Sequence, residues 1–183
     1  MILAEIAKSF FKDKVPENGI AVDFTMGNGY DTVFLSELVP DGLVFAFDIQ
    51  EEAIKSTQKR LEENRVVNVM LIRDSHSEAK SYITSPINAG MFNLGYLPGG
   101  NKSVHTMTES TLTAVRDALD MLAPGGVLTV SVYPGHDEGF REGEELTKML
   151  SDIDRHEYSV LQCKMLNSPV SPFIIAIERS KKG

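Results

Sequence analysis

Three apolar runs in this chain end on acidic residues, and the first leads straight into a glycine pair. Asp23 lies near the end of the run 20–24 and precedes Thr25-Met26-Gly27-Asn28-Gly29-Tyr30-Asp31-Thr32. Asp48 closes the run 43–47, nineteen residues after Gly29, and leads into Ile49-Gln50. Asp74-Ser75-His76 follow the run 69–72 after a single arginine. Gly27 and Gly29 allow positive φ and carry no Cβ, so a ligand can lie against their backbone. A helix starting behind them adds free N–H groups and a partial positive charge. The acid ending the second run suits both hydroxyls of a ribose, and polar groups at 74–76 suit an adenine edge. Asp48 equally fits a cap for a helix beginning at Glu51, and the two roles can coexist.

A dinucleotide fingerprint requires a third small residue where this chain has Thr32, too bulky for the closest helix–strand approach. Asp23, set just before the turn, repels a pyrophosphate and welcomes a cation. S-adenosylmethionine carries an ammonium, a sulfonium and no phosphate, so its charges suit this turn better. A plain tight turn between strand and helix is the alternative for the motif taken alone.

These residues need a frame that brings strand ends together. Strands are predicted at 20–24, 43–47, 69–72, 87–92, 127–133, 158–165 and 173–177, with helices between them. Ile2, Leu3, Ile6 and Phe10 mark the inner face of an N-terminal helix that stops before Pro16. A helix follows Gly29 and ends near Pro40-Asp41-Gly42, another spans 51–63, and a short one follows His76. Thr106-Met107-Thr108-Glu109 reads as a capping box, opening a helix with Leu112, Val115, Leu119 and Leu122 on one side. Residues 123–126 break that helix, and another spans about 140–153. The last two strands are joined only by 166–172, too short for a parallel crossover, so they pair antiparallel at the sheet edge.

The fourth strand runs into Asn93-Leu94-Gly95-Tyr96-Leu97-Pro98-Gly99-Gly100-Asn101-Lys102. With this segment the chain resembles the class I S-adenosylmethionine-dependent methyltransferases, and more narrowly the YtqB-like rRNA methylase family. The resemblance covers essentially the whole chain. It implies an α/β, Rossmann-like seven-stranded methyltransferase sheet, mostly parallel with an antiparallel closing hairpin and helices on both faces. It assigns S-adenosyl-L-methionine to Asp23, Thr25, Met26, Gly27, Asn28, Gly29, Asp31 and Thr32, then to Asp48, Ile49 and Gln50, then to Asp74, Ser75 and His76, with Asn93 alongside. Asn93, Leu94 and Tyr96 stand at the catalytic motif, where N-methyltransferases of the class carry Asn/Asp-Pro-Pro-Tyr/Phe. Leu94-Gly95 replaces Pro-Pro, which predicts a more mobile loop. Family members methylate the aminomethyl nitrogen of the tRNA wobble uridine, which implies transient contact with an anticodon loop. Asn93 would then orient the amine through its side-chain carbonyl with the Leu94 carbonyl beside it, and Tyr96 would stack on the uracil ring. Pro98, Gly99, Gly100 and Lys102 would form the substrate rim. His105, Tyr133 and His136 are expected on the substrate side, where either histidine could accept a proton or simply bond backbone.

Composition fits an ordinary enzyme of one domain, residues 1–183, long enough to bury about 70 % of its unfolded surface. No run approaches the roughly 20 apolar residues of a membrane span, and Glu5 and Lys8 interrupt any signal-like N-terminus. The single cysteine, Cys163, forbids an intrachain disulfide and reads as core filler. A cytoplasmic location is expected, with no metal and a homodimer possible through the first helix. The net charge of −8 argues against tight nucleic-acid binding. Lys8, Lys12, Lys14 and Lys102 are candidates for a local basic contact without forming a dense cluster. An rRNA or a small-molecule amine is the alternative substrate, and a dinucleotide-binding module or oxidoreductase the alternative class. Thr32 and the closing hairpin speak against the latter.

Overall fold

The computed structural model describes residues 2–95, 97, 99, 105–168 and 170–181. Strands β1 (Ile20–Asp23), β2 (Leu43–Phe47), β3 (Val69–Ile72), β4 (Ile87–Asn93), β5 (Leu122–Val132), β6 (Tyr158–Cys163) and β7 (Phe173–Arg179) form one sheet in the order β3-β2-β1-β4-β5-β7-β6. The pairs among β1 to β5 are parallel, while β7 runs antiparallel to both β5 and β6. The short 166–172 connection therefore makes the hairpin its length demands.

Both sheet faces are covered, which is why the central strands read as nearly continuous apolar runs. Helices α1 (Ile2–Ser9) and α2 (Tyr30–Leu38) bury Ala7, Leu35 and, just beyond α1, Phe11 against Ala21, Val44, Ala89 and Met91. On the same side, Ala53 of α3 (Glu51–Glu63) packs with Met26, Ala46 and Leu97. The opposite face takes α4 (Ala79–Tyr82), α5 (Thr108–Met121) and α6 (Asp137–Ser151), with Val115, Leu119 and Leu146 packed on Val22, Phe92 and Val130. There Phe24 and Phe92 stack with ring centroids 4.1 Å apart, worth about 0.5–1.5 kcal/mol beyond area burial. Gly90 makes that stack possible, since a Cβ would lie 2.6 Å from Leu128 Cδ1 and 3.1 Å from Phe24 Cε2.

Several boundaries differ from expectation: α6 spans Asp137–Ser151 instead of about 140–153, β6 ends at Cys163 instead of 165, and β7 continues to Arg179. β5 begins at Leu122 instead of Val127, because Leu122 pairs with Ile87 before the register shifts and Val127 pairs with Ala89. The capping box at Thr106 does not form. Met107 is the N-cap of α5 without a side-chain bond. Glu138 of α6 instead accepts from the Thr108 backbone at 2.9 Å and from its hydroxyl at 2.7 Å. A carboxylate from a neighbouring helix satisfies the α5 start, and Thr106 is left for another task.

Candidate active site

β1 and β4 lie side by side at the point where the strand order reverses, and their C-terminal ends open a crevice of the kind that holds ligands in open α/β sheets. Strand hydrogen bonding carries the chain into it. Phe24 N–H donates to the Met91 carbonyl at 2.9 Å, and Met26 N–H donates to Phe47 at 2.9 Å. Gly27 and Gly29 adopt positive φ, +48° and +79°. A Cβ on Gly29 would meet Thr57 at 2.9–3.0 Å, backbone Cα included, so glycine is required there.

Asp23 is completely buried. Its carboxylate accepts from the Thr25 backbone at 3.2 Å and from the Thr32 hydroxyl at 2.6 Å. Burial, reinforced by the Asp31 charge, raises its pKa from 3.8 to about 7 against those two bonds, with Asp48 adding to the rise. Asp23 thus braces the turn from beneath. Thr32, the residue that breaks the dinucleotide pattern, is its partner. Asp48 accepts from Gly27 N–H at 3.1 Å and Gln50 N–H at 2.9 Å, tying the glycine turn to the end of β2. Burial pushes its pKa up, with the backbone bonds opposing. Gln50, not Asp48, is the N-cap of α3. Ile49 remains 54 % exposed beside them, an apolar surface at the crevice.

At the end of β3, Asp74 accepts from Ser75 N–H and from the Tyr82 hydroxyl, both at 2.7 Å, and the Tyr82 bond holds its pKa down. Ser75 caps the short 3-10 turn His76–Glu78. His76 is buried edge-on to Phe92 at 5.8 Å. Burial pushes its pKa down to about 4, a hydrogen bond to the Phe24 backbone acting the other way. Its Nε2 is buried with no hydrogen-bond partner among the described residues.

Asn93 ends β4 and is bound on two sides. Its N–H donates to the Thr25 hydroxyl at 2.7 Å, and its Nδ2 donates to Asp31 at 2.5 Å. A carboxylate only accepts, so the amide nitrogen must face Asp31, leaving the side-chain carbonyl as an acceptor. Lys8 of α1 reaches the other Asp31 oxygen at 3.3 Å. Leu94 is buried, and its N–H donates to the Ser131 carbonyl at 2.9 Å. Tyr133, half-exposed beyond β5, feels Asp31, and burial raises its pKa first and that charge second.

Gly95 and Thr106 clasp each other. Thr106 N–H donates to the Gly95 carbonyl at 2.9 Å, and Gly95 N–H donates to the Thr106 hydroxyl at 2.9 Å. That hydroxyl donates on to Glu142 of α6 at 3.0 Å, and Glu142 also accepts from Thr111. Burial raises the Glu142 pKa, the two threonine bonds opposing. The ends of the 95–106 segment are therefore fixed to the fold. Gly99 has φ +84° with open space where a Cβ would be. Tyr96, Pro98, Gly100 and Lys102 lie outside the described residues. His105 and His136 meet as a T-shaped pair at 5.6 Å, and His136 Nδ1 accepts from Gly139 N–H as the cap of α6.

Several contributors were invisible along the chain. Ser56 donates to the Asn28 side chain at 3.0 Å, Thr57 to the Gly27 carbonyl at 3.1 Å, and Arg60 to the Asn28 carbonyl while lying 3.5 Å over Tyr30. All three belong to α3, whose sequence reads only as an amphipathic helix. Lys8 and Lys14, expected as basic contacts for a partner, are ion-paired to Asp31 and Glu178. Among the described residues no group of three or more His, Cys, Asp or Glu is arranged to hold a metal. No helix among them is long and apolar enough to cross a membrane.

The family described as "Putative rRNA methylase" matches residues 44–178, more than half of the chain. The chain belongs to this methyltransferase family. A relative from Arabidopsis thaliana named "tRNA (mnm(5)s(2)U34)-methyltransferase, chloroplastic" is 33 % identical, over 93 % of this chain and 67 % of its own. The crystal structure of a "putative rRNA-methylase" from Clostridium thermocellum is 39 % identical with a TM-score of 0.93, covering 97 % of both chains. A "putative methyltransferase" from Streptococcus mutans, solved with S-adenosylhomocysteine, is 40 % identical with a TM-score of 0.90, again over 97 % of both. The family match starts at 44 and omits the glycine turn, whereas the structural matches span nearly the whole methyltransferase chain.

Proposed function

We propose that the enzyme carries a methyl group from S-adenosyl-L-methionine to the amine of 5-aminomethyl-(2-thio)uridine at the tRNA wobble position, giving 5-methylaminomethyl-(2-thio)uridine. We read residues 1–183 as one such domain, acting in the cytoplasm and meeting the anticodon loop transiently.

The cofactor reading is supported by the chemistry of the crevice. Asp31 and Asp48 lie at the glycine turn, and their charges add, Asp31 more than Asp48, to the burial that raises the Asp23 pKa. A pyrophosphate is disfavoured there and a sulfonium or ammonium favoured. Asp48 spends two of a carboxylate's roughly four lone-pair sites on backbone, which leaves acceptors for ribose hydroxyls. Ile49 offers a face for adenine, and the unpartnered His76 Nε2 a polar atom at the β3 end. When bound, the cofactor supplies an electrophilic methyl for in-line displacement, so alignment does most of the catalysis.

Asn93 carries the acceptor reading. With Nδ2 held on Asp31, its side-chain carbonyl and the Leu94 carbonyl are two neutral acceptors at the end of β4. A primary amine has two N–H groups and one lone pair, and two acceptors on the former direct the latter. Neutral carbonyls in direct contact with the amine favour its ammonium form less than a carboxylate in contact would. The amine nitrogen gains the methyl, and the resulting secondary ammonium gives a proton to solvent. The name of the Arabidopsis thaliana relative supports the wobble uridine as substrate. The test is transfer from labelled S-adenosylmethionine to tRNA lacking this modification, read by nucleoside mass spectrometry. One methyl gained on the wobble aminomethyluridine is expected. Transfer to rRNA alone, or to a free amine alone, would overturn the substrate assignment.

A further inference from the structure

The chain has 18 basic residues against 26 acidic ones, and its ion pairs absorb many of the former. Lys8, Lys14, Lys55, Lys59, Arg73, Lys80 and Arg179 all face carboxylates within 4.0 Å. Lys12, Lys148, Lys164 and Lys181 have no such partner among the described residues. Two of these, Lys148 and Lys164, line one groove of about 450 Å³. The groove lies between α6 and the β6–β7 hairpin, and Pro134 places it directly after Tyr133 at the end of β5. It therefore opens on the same sheet edge as the crevice. Its floor is Phe173, over which Lys164 Nζ lies 5.7 Å from the ring centroid. Phe140 forms a wall while remaining 54 % exposed, in the first turns of a helix whose other face is core. Glu144 and Gln162 add hydrogen-bonding groups.

Exposed aromatic surface next to unpaired ammonium groups is how single-stranded nucleic acid is held without sequence readout, bases stacking on rings and phosphates meeting cations. The volume falls within the 300–1,000 Å³ range of small-ligand pockets. We propose that this groove binds a nucleotide flanking the methylated one, its base against Phe140 and its phosphates near Lys148 and Lys164. The proposal rests on the RNA-substrate reading above. Glu144 makes the groove selective for base edges that donate hydrogen bonds, and it limits affinity for free phosphate. The arrangement also explains how so acidic a chain meets RNA: two cations at the site edge act locally, within a Debye length of about 8 Å at physiological salt.

The test uses the full-length enzyme with unmodified tRNA in steady-state methylation at several salt concentrations, beside calorimetry of S-adenosylmethionine binding. Lys148→Ala with Lys164→Ala is expected to raise the KM for tRNA about tenfold, with kcat and cofactor affinity within about twofold. The slope of log KM against log salt should drop by about 0.7 for each ammonium removed. Phe140→Ala is expected to raise KM about tenfold as well, through lost stacking. Removing equal charge elsewhere, Arg116→Ala with Arg155→Ala, should leave both KM and slope unchanged. Groove variants with wild-type KM and slope would overturn the groove while leaving the function intact. A KM change equal to that of the Arg116/Arg155 control would overturn it as bulk charge. Unchanged KM with a shift from dimer to monomer in light scattering would assign the groove to a second copy of the chain and overturn the proposal. No transfer to any RNA by the unaltered enzyme would overturn the function and the groove together.

Discussion

Asp23 is held between the Thr25 backbone and the Thr32 hydroxyl with no access to water, and its pKa of about 7 has a consequence for stability. The folded value lies above the unfolded 3.8, so between about pH 4 and pH 7 the folded chain keeps a proton the unfolded chain has released. Stability from this group is therefore full below pH 4 and is lost as pH rises through 7. Asp23→Asn does not ionise, and its advantage in unfolding free energy should grow from pH 5 to pH 8, reaching on the order of 2–4 kcal/mol in denaturant unfolding. An advantage independent of pH would contradict a buried, titrating Asp23. Asp48→Ala should weaken S-adenosylmethionine binding by about 1.5–3 kcal/mol in calorimetry, the value of a charged acceptor. Unchanged affinity would remove Asp48 from the cofactor site. Both residues were legible in the sequence, because an acid at a strand end beside a glycine turn has few other uses. Their bonding was not. That Asp23 braces the turn from below, and that Asp48 holds Gly27 N–H, depend on how β1 and β2 pair.

Elements are legible where both sheet faces are buried, since an apolar run bounded by turn residues then has one interpretation. β2 and α3 begin and end where the sequence places them. The hairpin also followed from the seven residues 166–172 alone. A local pattern misleads where a distant group takes its place. Glu138 took over the start of α5, so the S/T-x-x-E pattern at Thr106 had no helix to cap. Thr106 instead joins Gly95 to Glu142. Thr106→Val should release the 95–106 segment and strand part of a buried carboxylate, costing about 1–3 kcal/mol in denaturant unfolding. It should also lower kcat more than cofactor affinity, and equal losses in both would argue against a clasp specific to the acceptor loop. Behind the glycine turn, α3 leaves Gly29 no room for a side chain. Gly29→Ala should cost about 1–3 kcal/mol through the positive φ and the contact with Thr57. A neutral effect in thermal unfolding would mean that α3 moves aside freely.

Across the whole molecule, the switch point between β1 and β4 divides the work. The ends of β1, β2 and β3 gather the carboxylates and glycines suited to a cationic adenosine cofactor, and in the proposed function the end of β4 presents Asn93 to an amine. Asn93 joins the two, since from the end of β4 its N–H and Nδ2 bond Thr25 and Asp31, which follow β1. One series tests this division directly: S-adenosylmethionine affinity by calorimetry and the single-turnover methylation rate on tRNA, for the enzyme and for Asn93→Ala. The account predicts cofactor affinity within about twofold, because the carboxylates and the glycine turn stay in place, and a transfer rate at least about tenfold lower, as expected when a group that orients a reactant is lost. Lost cofactor binding with a normal rate at saturation would contradict it, placing Asn93 with the cofactor and leaving the amine without its acceptor.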